Sequence, residues 1–135
     1  MIAIDTSVVV AAFASWHDRH GEARRVAAGD VYLPAQVFLE AYAVLTRLPA
    51  PHRIPAWIAA EFLRRRFPHE VLLHPDPDVV ARLPTICAEA GLSGGATYDA
   101  LIGLTCLGVG AELYTLDRRS LRNHRALGVD IRLVA

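Results

Sequence analysis

Two features of the sequence predict an α/β fold on a central, mainly parallel sheet of about five strands. Five short apolar runs recur along the chain, and segments of helical spacing lie between them. Strands alternating with helices form parallel sheets, because each crossover returns the chain to the edge from which it left. The 135 residues, 53% of them hydrophobic, suit one domain, residues 1–135, with ample core.

The first strand is Ile2 to Ile4, and a helix from Thr6 to Phe13 follows it. A helix from His17 to Ala28 then leads through Gly29-Asp30 into a strand from Val31 to Leu33. Helical spacing over Gln36 to Leu48 and over Pro55 to Phe67 is interrupted by the break from Pro49 to Pro51. The strand Val71 to Leu73 and the break from Pro75 to Pro77 precede a helix from Pro77 to Ala90. "GLSGG" opens the helix Gly95 to Leu107, which runs on to a strand from Glu112 to Tyr114. A helix from Arg118 to Leu127, stopped by Gly128, and a strand from Ile131 to Val134 complete the chain. No break is long enough to be an interdomain linker, and no internal repeat is present.

The 14 basic and 14 acidic residues cancel, so bulk charge does not announce a nucleic-acid binder. All the Lys/Arg residues are Arg, which removes the lysine that Schiff-base chemistry and a Walker-type phosphate loop require. Cys87 and Cys106 are isolated and read as small core residues in a reducing compartment. The chain opens on an apolar strand, and no apolar run approaches the roughly 20 residues that span a bilayer, so the expected location is the cytoplasm, without a membrane partner.

Most of the acids fall in loops or among polar neighbours, but Asp5, Glu40, Asp99 and Asp117 do not. Asp5 ends the first strand between two apolar segments. Glu40 lies beside the apolar stripe of its helix, with Val37 and Val44 as one-turn neighbours. Asp99 is the only charge in "GATYDALIGLTCLGVG", an all-round apolar helix that predicts burial and a polar cavity for its acid. Asp117 follows "ELYT". Asp5 and Asp117 are also candidate helix caps.

In an open parallel sheet, ligands bind beyond the carboxyl ends of the strands, where strand order reverses. Asp5 and Asp117 follow strands, and Glu40 and Asp99 occupy the first halves of helices entered from that edge. Like charges ~4 Å apart repel by about 4 kcal/mol at an effective dielectric near 20, and a divalent cation resolves that repulsion. Oxygen ligands without His or Cys suit Mg²⁺ or Mn²⁺, whose natural chemistry is phosphodiester hydrolysis.

At "IDTSVVVA", Glu40, "TYDALIGLTCLGVGAELYTLDRRSL" and "LGVDI", the sequence resembles the PIN-domain ribonucleases, and among them the VapC toxins of bacterial toxin–antitoxin pairs. The resemblance spans essentially the whole chain. It implies a three-layer α/β/α sandwich (PIN-like), Mg²⁺- or Mn²⁺-dependent cleavage of RNA, and an acidic site of Asp5, Glu40, Asp99 and Asp117. It further implies a homodimer and a cognate VapB-type antitoxin that blocks the acidic pocket. In the assignment we expect, Asp5, Asp99 and Asp117 hold metal directly or through water, and Glu40 positions or deprotonates the attacking water.

Two dense basic groups remain, Arg64 to Arg66 and the set Arg118, Arg119, Arg122 and Arg125. Arg118 and Arg119 are the better candidates for RNA phosphate contact, because they adjoin Asp117. His17 and His20 lack further zinc ligands and read as exposed polar residues. Trp16, Tyr42 and Trp57 read as packing residues, and Thr6 and Thr115 as an ordinary helix-start hydroxyl and strand threonine. A receiver-like or haloacid-type phosphoacceptor needs paired acids or D-x-D with a Lys, which D-T-S in a Lys-free chain does not provide. The other alternative is a non-catalytic protein-binding module that keeps an acidic pocket.

Overall fold

The computed structural model describes residues 1–135. Five strands form one parallel sheet in the order β3-β2-β1-β4-β5: β1 (Ile2–Ile4), β2 (Val31–Pro34), β3 (Leu72–Leu73), β4 (Glu112–Thr115) and β5 (Ile131–Leu133). The seven α-helices are α1 (Thr6–Phe13), α2 (His20–Ala27), α3 (Ala35–Arg47), α4 (Ala56–Arg66), α5 (Pro77–Ala90), α6 (Ala96–Gly108) and α7 (Leu121–Ala126). The chain steps from β1 to β2 to β3 in one direction and from β3 past β1 to β4 and β5 in the other. Right-handed crossovers therefore put α1 to α4 on one face and α5 to α7 on the other. The packing of α1 on α2 and α3, and of α6 on α5 and α7, agrees with that division and gives the α/β/α sandwich.

Ile4, Leu33 and Leu113 of the three inner strands are fully buried, as are Val8 and Val9 of α1 and Val37 and Ala41 of α3. Burial on both faces is why these strands read as continuous apolar runs rather than alternating ones. Helix α5 shows how local chemistry sets an element's ends. The Asp76 carboxylate accepts from the Asp78 N–H at 2.8 Å, Pro77 occupies the first position, and Gly91 closes the helix at φ 72°.

Some boundaries differ from the sequence expectation. Helix α2 starts at His20, not His17, because the His17 ring accepts the Arg19 N–H at 3.0 Å and holds that stretch in a turn. The expected helix from Arg118 begins as a 3-10 turn, Arg118–Ser120, before α7. Val71 belongs to a 3-10 turn over His69–Val71, not to β3. The aromatic residues expected to pack are exposed: Trp16 at 46%, Tyr42 at 39% and Trp57 at 76%. Helix α4 buries Ala59 and Leu63, one turn apart, which leaves Trp57 off the buried stripe. Trp16 instead stacks on His52, with ring centroids 4.1 Å apart. His17 and His20 are half-buried rather than exposed, and Nδ1 of His20 lies 2.8 Å from the Ala11 carbonyl.

Candidate active site

Strand order reverses between β1 and β4, which pair directly, and the Asp5 N–H donates to the Tyr114 carbonyl at 3.1 Å. The backbone beyond these two strand ends carries Asp5 and Asp117. Asp5 caps α1, its Oδ1 accepting from the Val8 N–H at 3.2 Å and from the Ser7 hydroxyl at 2.5 Å. Oδ2 accepts from the Thr115 hydroxyl, also at 2.5 Å. Burial raises the Asp5 pKa to about 6, against the opposing hydrogen bonds from Ser7, Thr115 and Val8. No cation pairs with it.

Asp117 caps the 3-10 turn, accepting from the Arg119 N–H at 3.0 Å, while its own N–H donates to Thr115 Oγ1 at 2.9 Å. Thr115 is thus a fully buried bridge between the two aspartates. Glu40 is held by neutral donors, the Thr6 hydroxyl at 3.0 Å and the Gln36 amide at 3.1 Å, one oxygen each. Asp99 lies in the first turn of α6. Its pKa is raised by partial desolvation at the cavity rim, then by the charges of Glu40 and Asp117, which identifies those two acids as its electrostatic neighbours.

All four acids line one cavity of about 120 Å³. Thr6, Ser7, Ser120 and His124 contribute the other polar groups on its wall. The expectation for Asp99 needs one correction: its helix is not buried all round. Tyr98 and Leu107 are 53% and 45% exposed, and Asp99 reaches the cavity from an exposed rim position. Arg119 reaches a wider groove of about 500 Å³ that shares Thr6, Ser7 and Asp117 with the acid cavity. Its side chain is 95% exposed, with Nε 3.5 Å from Asp117 Oδ1. Arg118 is exposed and lines neither cavity.

Sequence alone does not single out Ser7 or His124, and it ranks Thr6 and Thr115 as ordinary structural residues. The available signal for His124 is Gly103, one turn after Asp99 on an apolar helix. A Cβ there would stand 2.5 Å from His124 Nδ1, so the ring needs a glycine opposite it.

The site fits a divalent cation. Asp5, Glu40 and Asp99 have no ionic partner, and oxygen donors converge from four separate parts of the chain. No three acid, His or Cys side chains stand as a ready-made coordination shell. The carboxylates ring a cavity instead, an arrangement suited to an ion that keeps part of its water shell.

The PIN domain family profile matches residues 2–126. Ribonuclease VapC40 of Mycobacterium tuberculosis is 43% identical over 134 residues, which cover 99% of each chain. The chain belongs to the VapC family of PIN-domain proteins. Among solved PIN-domain structures, the fold is similar to M. tuberculosis VapC20, described as a sarcin–ricin loop-cleaving toxin. That match has a TM-score of 0.69 and 21% identity, and covers 96% of each chain. The fold is also similar to a chain in VapBC2 of Rickettsia felis, solved bound to a DNA fragment from its promoter, at a TM-score of 0.67, 16% identity and 98% coverage of each chain. The acid cavity of this PIN domain therefore lies in a fold shared with VapC20 and with the VapBC2 chain.

Proposed function

We propose that this VapC-family protein is a divalent-cation-dependent endoribonuclease, the toxin of a type II toxin–antitoxin pair. The observation that carries the reading is the convergence of Asp5, Glu40, Asp99 and Asp117 on one small cavity, in which only Asp117 has a cationic partner, the exposed Arg119. Asp5, Asp99 and Asp117 hold Mg²⁺ or Mn²⁺, directly or through water, and Glu40 positions the attacking water and takes its proton. The bound ion supplies Lewis acidity and charge neutralisation at the scissile phosphate. Hydroxyl groups of Thr6, Ser7 and Thr115 hold the carboxylates in orientation. Arg119, in the neighbouring groove, and Arg118 meet the RNA backbone on its way into the cavity.

The protein acts in the cytoplasm as a homodimer and is silenced by a VapB-type antitoxin that covers the cavity. The family of relatives supports the partner, and no helix is long and apolar enough to cross a membrane. The test is to sequence the RNA ends produced by purified protein with Mg²⁺, with Mn²⁺ and with chelator. Discrete internal cuts that vanish with chelator are expected. Cuts that survive exhaustive chelation refute the metal site, and no cuts under any condition favour a non-catalytic binding module.

A further inference from the structure

Donors and acceptors around the acid cavity do not balance. Four of its residues are carboxylates, which when ionised only accept. The Thr6 hydroxyl donates to Glu40, the Ser7 hydroxyl to Asp5 and the Ser120 hydroxyl to the Asp117 carbonyl, so all three are engaged within the protein. The remaining polar residue on the wall is His124.

His124 is 3% exposed. The edge of its ring that carries Nδ1 and Cε1 abuts α6 at Gly103, where a Cβ would stand 2.5 Å from Nδ1 and 2.9 Å from Cε1. Nδ1 is buried without a hydrogen-bond partner. An orphaned buried N–H costs more than a bare lone pair lying against a Cα hydrogen, so Nδ1 carries the lone pair and Nε2 the proton. Burial keeps the imidazole neutral by lowering its pKa, with the charge of Asp117 acting the other way. Nε2 makes no hydrogen bond within the protein and, unlike Nδ1, is not sealed in, so on a residue that lines the cavity it is the nitrogen with access to it.

We infer that His124 is a substrate-contacting residue whose Nε2–H binds a non-bridging oxygen of the phosphodiester being cleaved. The inference rests on the nuclease reading above. A phosphate entering among four carboxylates has the cation as one favourable contact. The imidazole adds a neutral donor from the wall without competing for the acids as an arginine would.

The experiment uses the full chain, Mn²⁺ and an RNA that the parent cuts. His124→Phe keeps a ring of similar shape and removes both nitrogens; His124→Gln restores an N–H near the position of Nε2. The expected results for Phe are a retained cooperative melting transition, Mn²⁺ affinity unchanged in titration with the metal alone, and single-turnover cleavage slower by about 100-fold. Gln is expected to recover about tenfold of that loss. Long-range proton–nitrogen NMR of the metal-free parent should show the Nε2–H tautomer. The Nδ1–H tautomer, or a Phe variant that cuts at the parent rate, overturns the inference. Loss of Mn²⁺ affinity together with cleavage also overturns it, because the ring is then a metal ligand. A parent that cuts no RNA with Mn²⁺ refutes the nuclease reading itself, whereas a cutting parent with a fully active Phe variant refutes only the role of His124.

Discussion

Asp5 accepts one amide and two hydroxyl hydrogen bonds, yet burial still lifts its pKa to about 6 from 3.8. The metal-free folded state therefore binds a proton at Asp5 more tightly than the unfolded chain does. Between those two values the folded state carries more protons at this residue, so its contribution to stability falls as pH rises through the window and is fully lost above about 6. Asp99, whose pKa is also raised, adds a contribution of the same sign. In chelator, the melting temperature of Asp5→Asn relative to the parent should rise between pH 5 and pH 7, on the order of a few degrees. A constant difference would mean that Asp5 titrates as an ordinary exposed acid. Protonated Asp5 also competes with metal, so Mn²⁺ affinity measured by titration should drop as pH falls below about 6.

Helix α6 brings Asp99 to the cavity rim and Gly103, one turn later, against His124. Alanine at Gly103 gains about 1 kcal/mol of helix propensity but forces a methyl into a buried imidazole and into Val129 Cγ2, 2.9 Å away. Overpacking of this kind costs about 1–3 kcal/mol and wins, so Gly103→Ala should melt lower than the parent. Gly108 closes the same helix, and a methyl on its Cα would meet nothing within 4 Å, so Gly108→Ala should melt at the same temperature or higher. Equal melting temperatures for the two variants would refute the close contact. The lone acid of α6 was legible in the sequence because a carboxylate among apolar residues needs a cause. His124 was not, because its significance depends on a neighbour 21 positions away in the chain. The elements themselves were legible wherever period and punctuation agreed, as at α5. They were least legible where a side chain competed for backbone hydrogen bonds, as His17 does before α2.

The whole molecule places its acids at the point where strand order reverses: Asp5 and Asp117 follow β1 and β4, and Glu40 of α3 and Asp99 of α6 join them. That placement followed from the alternation of strands and helices. The exposed Trp57, Ile58 and Leu39, at 76%, 50% and 63%, did not, since periodicity alone does not say which apolar residues fall outside the core. These side chains suit burial against a partner. Co-expression with a VapB-type antitoxin should give a stable complex in which RNA cleavage is suppressed. Recovery of free, uninhibited protein by size-exclusion chromatography would contradict the partner assignment. At the same scale, the proposed metal site predicts that the metal-free protein carries a repulsion that a cation would relieve. The most direct test is the melting temperature of the parent, Asp5→Asn and Asp99→Asn with and without Mn²⁺, measured alongside RNA cleavage. The parent should be stabilised by Mn²⁺ and should cut RNA. Asp99→Asn should lose both properties while melting no lower than the parent in chelator, and Asp5→Asn should likewise lose both. A variant that is destabilised in chelator yet still cuts RNA with Mn²⁺ would show that its acid holds the fold rather than the metal, contradicting the four-carboxylate site.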